Sequence, residues 1–162
     1  MDPLTHKIDP LSVERLITPK TTGIIGLHVW GRACDTEALE DIGHKHGLKV
    51  MYDAAHALGC SRRGKIIGGF GGCEVFSFHA TQFLNSFEGG PSSPTMIPWQ
   101  QRCASCVILD LPATIASSSR GINGKMTEVC AAMGLTSLEA VADLIDINRQ
   151  NYESPPDKSI VA

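Results

Sequence analysis

The sequence predicts a layered α/β fold with a mainly parallel sheet and flanking helices, and three neighbouring stretches support that prediction. Residues 23 to 29 and residues 49 to 52 are continuous apolar runs, which are typical of buried strands. Between them, residues 31 to 47 space their apolar side chains as one face of a helix, with Asp35 or Thr36 as the cap and a glycine at the end. A strand, a helix and a strand with short connections indicate a parallel pair.

The elements around this unit are shorter or less regular. Residues 11 to 17 predict a helix of two turns capped by Ser12. Residues 58 to 72 are rich in glycine and basic residues, a composition typical of a loop or of short edge strands. Residues 74 to 78 predict another strand, and residues 87 to 90 predict a turn that leads into one more.

The C-terminal part predicts helix, whereas the part before it predicts no regular element. Residues 125 to 152 carry an apolar stripe at helical spacing, with Gly134 as the expected break. Residues 91 to 120 show no sustained period and are rich in proline and serine, so they predict an irregular segment. So long a run without structure is unusual inside a compact domain.

Composition and charge favour one soluble domain. The 162 residues are 43% hydrophobic and 19% charged, and their formal net charge of -3 gives no electrostatic reason to expect nucleic acid or anionic lipid. No apolar run is long enough to span a bilayer, and the N-terminus lacks a signal-peptide pattern, so the expected location is the cytoplasm. The cysteines are expected to be reduced thiols, and the isolated pair Cys103 and Cys106 is too weak a pattern to predict a metal site.

Polar side chains stand where the predicted strands end. Asp53 closes one strand, and Ser77, His79 and Thr81 close the next. Open α/β sheets bind ligands at the carboxyl ends of their strands. This edge is therefore the expected binding site.

Three segments around this edge resemble a known enzyme family. TTGIIGLHVWGRACDTEALEDIGHKHGLKVMYDAAHALG, FGGCEVFSFHATQFLNSFEGG and GINGKMTEVCAAMGLTSLEA occur in this order. The match covers residues 1 to 90 and 121 to 153 and resembles the DegT/DnrJ/EryC1/StrS family of pyridoxal-phosphate-dependent sugar aminotransferases. The resemblance implies a partial large domain of the aspartate-aminotransferase-like architecture, PLP fold type I. It also implies a homodimer with shared active sites that transfers an amino group, usually from glutamate, to a keto sugar nucleotide.

The resemblance implies cofactor contacts for four residues. Asp53 stands where a family carboxylate keeps the cofactor ring nitrogen protonated, and His56 stands where the family has a ring-contacting Gln or His. Ser77 matches a serine that hydrogen-bonds the cofactor phosphate, and Asn123 matches an asparagine that reaches the phosphate of the partner subunit's cofactor. The alternatives, from residue type and position alone, are a helix cap for Asp53, a packed core residue for His56, an ordinary strand end for Ser77 and a turn residue for Asn123.

Position 82 departs from the family pattern. In the family the motif reads SFHATK, and its lysine forms the Schiff base with the cofactor and moves the proton during transamination. This chain has Gln82, whose amide nitrogen is neither basic nor nucleophilic. The departure predicts that the chain is catalytically inactive.

Residues 91 to 120 are a second departure. Permissible codons for residues 91 to 115, read one base earlier, spell AVVTNDDSLAAKVRLMRNFGFAGYD, which resembles what the family has after EGG. We hypothesise that this segment is out of frame and that the frame is restored before Gly121. The C-terminal SPPDKSIVA is interpreted as a further slip.

The predicted organisation has four parts: 1–90 as a partial cofactor-binding large domain, 91–120 as a non-family segment, 121–153 as a helical part of the large domain and 154–162 as a tail. Met1 stands where the family has mid-domain sequence, so other cofactor contacts and the small domain are expected to be absent. The predicted function is that of a fragment related to aminotransferases of amino-sugar, cell-envelope polysaccharide or secondary-metabolite biosynthesis. The alternative is a non-catalytic product of a decayed gene, or a partner subunit of a full-length paralogue.

Overall fold

The computed structural model describes residues 1–95 and 126–154. Its helices are α1 (Pro10–Leu16), α2 (Thr36–His46), α3 (Glu128–Glu139) and α4 (Val141–Glu153). Its strands are β1 (Gly23–Leu27), β2 (Lys49–Asp53), β3 (Ser61–Arg62), β4 (Lys65–Ile66), β5 (Cys73–Val75) and β6 (Ser92–Pro94). The chain forms two compact units, Met1–Ser77 with Gly90–Met126 and Phe78–Gly89 with Thr127–Ala162. We call the first the sheet unit and the second the helical unit.

Strands β1, β2, β5 and β6 form one sheet in that order. β1 and β2 are parallel, with Leu27 opposite Asp53, and β2 and β5 are parallel, with Met51 opposite Cys73. β6 closes the edge antiparallel to β5. The predicted fold class is confirmed, because the sheet is mainly parallel and helices accompany it.

The core of the sheet unit lies between the sheet and α2. Its buried apolar side chains include Ile24, Leu39, Ile42, Val50 and Tyr52. Buried and exposed positions alternate along β1, as the two-residue period of a strand requires. The same alternation along β2 directs Asp53 to the face of the sheet opposite the buried Tyr52.

The cap of α1 is Asp9, so the prediction of Ser12 is wrong. The Asp9 carboxylate accepts the backbone N–H groups of Leu11 and Ser12, both at 3.1 Å. Helix α1 starts at Pro10, whose fixed φ suits the first helical position. Ser12 therefore lies inside the first turn, and its hydroxyl donates to the Asp9 carboxylate at 2.6 Å.

Other predicted boundaries agree with the structure to within a few residues. Asp35 caps α2 through a hydrogen bond from the Ala38 backbone N–H, and Gly47 ends it with a φ of 64°. The glycine-rich stretch 58 to 72 contains the short antiparallel pair β3 and β4. β5 ends at Val75 rather than at residue 78.

The C-terminal helices break at Ala140, so the prediction of a break at Gly134 is wrong. Gly134 is buried inside α3, where a Cβ atom would come within 3.2 Å of the Ser86 Cβ. Close packing therefore accounts for this glycine. Val129 and Leu135, which belong to the predicted apolar stripe, are 69% and 64% exposed.

Most of the segment 91 to 120 lies outside the described residues. Its first residues form β6, whereas Cys103, Cys106, Asn123 and the tail from position 155 belong to the part that is not described. In the ranges 1–95 and 126–154, no helix combines the length and the hydropathy that a membrane crossing needs.

Candidate functional site

The carboxyl ends of β1, β2 and β5 meet at one edge of the sheet. His28, directly after β1, donates its backbone N–H to the Asp53 carbonyl at 3.0 Å. Ala54 donates its backbone N–H to the Val75 carbonyl at 2.8 Å. These bonds extend the parallel pairing to the last residue of β2, so Asp53 is held at the edge where the sequence predicts a ligand.

The Asp53 carboxylate is half-buried and keeps one oxygen available. Its Oδ1 accepts the Ala55 backbone N–H at 3.0 Å, which orients the side chain. Among the residues that the structure describes, no donor reaches Oδ2. Such an acceptor fits the protonated ring nitrogen of pyridoxal phosphate. The loop after Asp53 leads to β3 rather than to a helix, so the alternative of a helix cap does not apply.

His56 and Ser77 lie in the same unit as Asp53 and follow strands of the same sheet. His56 is exposed in the turn after β2, so it is not a packed core residue. Ser77 is half-buried and follows Phe76, whose backbone N–H donates to the Pro91 carbonyl at 2.9 Å. The roles of these two side chains toward a cofactor stay predictions.

Gln82 lies in the helical unit, in a loop that closes on itself. The Phe78 backbone N–H donates to the Gly89 carbonyl at 2.8 Å, and the Ser86 N–H donates to the Phe78 carbonyl at 2.9 Å. The Gln82 backbone N–H donates to the His79 carbonyl at 2.9 Å. Within the described parts of the chain, the Gln82 side-chain amide has no hydrogen-bond partner, so this loop does not depend on an amide at position 82.

The ring of His79 is held by neighbours in the same loop. Its Nδ1 lies 2.9 Å from the Thr81 Oγ1, and its Nε2 lies 3.8 Å from a carboxylate oxygen of Glu88. These contacts tie the His79 ring to its own loop.

A buried polar network, which the sequence did not predict, lies next to Asp53. His28 and Glu74 are both fully buried, and the His28 Nε2 lies 3.2 Å from the Glu74 Oε1. The His28 Nδ1 accepts the Cys34 backbone N–H at 3.3 Å, so the Nε2 carries the proton and donates to Glu74. The second Glu74 oxygen accepts backbone N–H groups from Gly68 and Phe70. The network therefore joins the end of β1 to β5 and to the loop before it.

Tyr52 completes this network beneath β2. Its ring stacks on the ring of His28 with centroids 5.1 Å apart, and its hydroxyl donates to the Thr36 carbonyl at 3.1 Å. Burial raises the pKa of the Tyr52 hydroxyl and raises the pKa of the Cys34 thiol to about 11. Neither group ionises near neutral pH, so the network supports the strand ends and supplies no nucleophile.

A cavity of about 380 Å³ lies at the other end of the sheet. Its lining includes Gly47, Lys49 and Gly72, which stand at or before the amino ends of β2 and β5. It is therefore separate from the edge that carries Asp53.

The chain matches a family model over most of its length. The model of the DegT/DnrJ/EryC1/StrS aminotransferase family matches residues 1–154. A dTDP-4-amino-4,6-dideoxy-D-glucose transaminase of Shigella dysenteriae is 42% identical over 130 residues, which cover 78% of this chain and 35% of that protein. A GDP-perosamine synthase of Caulobacter vibrioides is 34% identical over 142 residues, which cover 86% of this chain and 38% of that protein.

Solved structures give the same result. The crystal structure of DesI in the presence of its TDP-sugar product superposes with a TM-score of 0.85 at 44% identity, covering 93% of this chain and 38% of DesI. An aminotransferase of the same family from Brucella abortus, at 23% identity, shares the fold with a TM-score of 0.80 over 88% of this chain and 41% of its own. The chain thus spans little more than a third of the length of the Shigella transaminase and of the Caulobacter synthase. The extent of the family match and these identities establish that the chain belongs to the DegT/DnrJ/EryC1/StrS aminotransferase family.

Proposed function

We propose that this chain is a sugar-aminotransferase-like protein that holds pyridoxal phosphate without a covalent bond and does not catalyse transamination. The observation that carries the proposal is the contrast between two positions. Asp53 keeps an open acceptor oxygen at the strand-end edge, whereas position 82 carries an amide with no partner in the described residues. The contact to the ring nitrogen is retained and the reactive amine is lost.

The roles of the individual residues follow from their chemistry. When bound, pyridoxal phosphate supplies an electron sink whose ring nitrogen must stay protonated. The Asp53 Oδ2 would accept a hydrogen bond from that ring N–H, and His56 would contact the ring. Ser77 and, from a second subunit, Asn123 would donate to the phosphate. The Gln82 amide nitrogen has no basic lone pair, so it neither bonds to the cofactor aldehyde nor transfers a proton.

The substrate class is proposed from the relatives. The Shigella and Caulobacter proteins are named for nucleotide-linked sugars, and DesI was crystallised with a TDP-sugar. We infer that a keto sugar nucleotide and glutamate are the ligands for which this edge evolved, and that the active protein of this type is a homodimer with shared sites. The segments 1–90 and 121–153 would belong to the large domain of such an enzyme. The protein would act in the cytoplasm.

Spectroscopic titration with pyridoxal phosphate tests the proposal. The chain should change the absorbance of the free aldehyde weakly, and borohydride should leave no cofactor attached to the protein. The Gln82→Lys variant should form a reducible adduct at residue 82, detectable by peptide mass spectrometry. Asp53→Asn should weaken cofactor binding in both backgrounds.

The control variant is Gln82→Met, which has a similar size and no amine, and should behave like the unmodified chain. A borohydride-stable adduct at a defined lysine of the unmodified chain would contradict the proposal. If the Asp53→Asn variant binds pyridoxal phosphate as tightly as the unmodified chain does, Asp53 does not contact the cofactor ring nitrogen.

A second candidate is a non-catalytic product of a decayed gene, or a subunit that pairs with a full-length paralogue. It is favoured by the altered segment 91 to 120, which would be a frame-shifted counterpart of a family strand and helix, and by the tail from residue 154. Resequencing the DNA across codons 90 to 121 tests it. A nucleotide sequence without a family-like reading in the shifted frame would exclude the frameshift.

A further inference from the structure

The turn after β1 holds a tryptophan in a conformation that tryptophan rarely adopts. Trp30 has a φ of 50° and Gly31 a φ of 75°, so both central residues of this two-residue turn have positive φ, as in a type I′ turn. Val29 and Arg32 bridge its base, and the Arg32 backbone N–H donates to the Val29 carbonyl at 2.9 Å. Asn or Gly would adopt this backbone without strain, so the turn does not need an aromatic residue.

The Trp30 side chain is mostly exposed, so burial of its ring does little to offset the backbone strain. It is 74% exposed, and its aromatic neighbour in the sheet unit is His6, which meets it edge-on at a centroid distance of 6.2 Å. His6 also has a positive φ, of 56°. Strained residues of this kind concentrate at ligand sites, where the surrounding fold holds them in a geometry that suits the ligand.

The base of the same turn carries Arg32, whose guanidinium has no partner within the ranges 1–95 and 126–154. The neighbouring basic side chains are engaged: the Lys7 ammonium donates to the Ala33 carbonyl at 3.2 Å, and the Arg62 guanidinium pairs with Asp35 at 2.7 Å. Arg32 is exposed, and none of the residues that the structure describes pairs with its guanidinium. The turn therefore presents an open aromatic face together with an unpaired planar cation.

The turn lies at the edge that carries Asp53. His28, two residues before Trp30, is bonded to the Asp53 carbonyl. Gly31 packs against the loop after β2: a Cβ atom there would lie 3.0 Å from the Cys60 Sγ and 3.4 Å from the His56 carbonyl oxygen. The position of Trp30 is thus fixed relative to Asp53 and His56 by contacts within one unit.

We propose that this turn is a subsite for the nucleoside diphosphate part of the ligand, with the base stacked on Trp30 and the diphosphate facing Arg32. A ligand that uses both features must combine a planar aromatic group with a nearby anion, and a nucleoside diphosphate does so. Stacking on an exposed aromatic ring tolerates any base, and the guanidinium matches phosphate oxygens. The proposal rests on the substrate class given under the proposed function and assigns to it residues outside the cofactor contacts.

Fluorescence titration with thymidine diphosphate tests the subsite. The chain has two tryptophans, so the Trp99→Phe background leaves Trp30 as the reporter. Thymidine diphosphate should quench this fluorescence saturably, thymidine should quench it more weakly, and inorganic pyrophosphate should not quench it. Absence of quenching by thymidine diphosphate, or quenching by pyrophosphate alone, would overturn the proposal.

Two substitutions separate a binding role from a structural one, with affinities measured by calorimetry. Trp30→Asn relieves the backbone strain and removes the ring, so thermal stability should be equal or higher while the affinity for thymidine diphosphate falls roughly tenfold or more. Trp30→Phe keeps a ring and should retain most of the affinity. Arg32→Gln should weaken the diphosphate and leave thymidine unchanged. Unchanged affinity in Trp30→Asn would show that the tryptophan is merely structural.

The cofactor titration is run on the same variants, because the two proposals must be able to fail separately. Trp30→Asn should bind pyridoxal phosphate as the unmodified chain does. If nucleotide binding depends on Trp30 while the cofactor does not bind, the subsite stands and the proposed function fails. If the cofactor binds and nucleotide affinity is independent of Trp30, the subsite fails and the proposed function stands.

Discussion

The sheet unit and the helical unit differ in how much of their apolar surface they bury. The sheet unit encloses Ile24, Leu39, Val50 and Tyr52 and adds a fully buried hydrogen-bond network around His28. In α3 the buried residues are Gly134 and Ser137, and in α4 no residue is buried. The sheet unit therefore has a core of several apolar side chains, whereas in the helical unit Leu84 of the loop 78–89 is buried and the helices leave most of their apolar side chains exposed to solvent.

The largest effect is expected from breaking the network in the sheet unit. Glu74→Ala leaves the His28 Nε2–H and two backbone N–H groups without an acceptor in a buried site. Leaving a buried donor without an acceptor typically costs about 1–3 kcal/mol, and three donors are affected here, so urea unfolding should show a loss of roughly 3 kcal/mol or more. Glu74→Gln, which keeps the shape and one acceptor oxygen, should lose less. Equal losses in both variants would mean that packing, not hydrogen bonding, sets the value.

The next largest effect compares equivalent truncations in the two units. Leu39 is fully buried, so Leu39→Ala should reduce the free energy of unfolding by about 2–5 kcal/mol. Leu138 in α3 is 47% exposed, and Leu138→Ala should change it by about 0.5 kcal/mol or less. Denaturant titration of both variants measures the difference. A large loss in Leu138→Ala would show that the helical unit has a core of its own.

Thiol labelling gives a local version of the same comparison. Cys34 is fully buried, and burial raises its thiol pKa to about 11 from an ordinary value of 9.0, which lowers the thiolate fraction at neutral pH about 100-fold. Cys130 in α3 is only half-buried. Iodoacetamide followed by peptide mass spectrometry should modify Cys130 much faster than Cys34. Comparable rates would indicate that the sheet unit opens as readily as the helices.

The smallest effect concerns an ion pair on the surface of the sheet unit. The Glu14 carboxylate accepts hydrogen bonds from Lys45 at 2.6 Å and from His46 at 3.1 Å, and these partners lower its pKa below the ordinary 4.5. A lowered folded-state pKa stabilises the fold above the ordinary pKa, and the contribution is lost as pH falls through the folded-state value.

Melting temperature measured through that acid range should therefore fall less steeply for Glu14→Gln than for the unmodified chain. Because the pair is exposed, the difference should be small and should shrink further in high salt. A steeper fall in the variant would contradict the assignment.

Local patterns predicted the parallel strands, α2 and the position of Asp53, because each depends on neighbours in sequence. Apolar runs mark β1 and β2, and the residue after a strand in a parallel sheet falls at its carboxyl edge. The pairing of His28 with Glu74 joins residues 46 positions apart and depends on the strand order, which no local pattern encodes. The sequence signal for this pair was that His28 and Glu74 each lie at an end of an apolar run.

The misplaced boundaries have the same origin. Ser12 and Asp9 are both good caps, and the choice between them follows from where Pro10 starts the helix. Gly134 reads as a helix break in sequence, yet its lack of a side chain serves the contact with Ser86. The Trp30 turn was missed because tryptophan is not a turn residue, and its positive φ is visible only in the backbone.

The antiparallel edge strand β6 can vary widely in amino-acid sequence and still pair with β5. A Cβ atom on Gly90 would collide with the Phe76 carbonyl, so the chain must carry glycine where it turns back. Beyond that point, the Phe76 N–H and the Pro91 carbonyl pair through the backbone alone, and the register places Pro94 opposite Cys73. An edge strand tolerates proline, because one side of it needs no partner. Because β6 pairs with β5 through backbone hydrogen bonds, a strand of unrelated composition can form the same pairing. A change of reading frame after Gly90 would therefore change the side chains of the edge strand and still allow that strand to form.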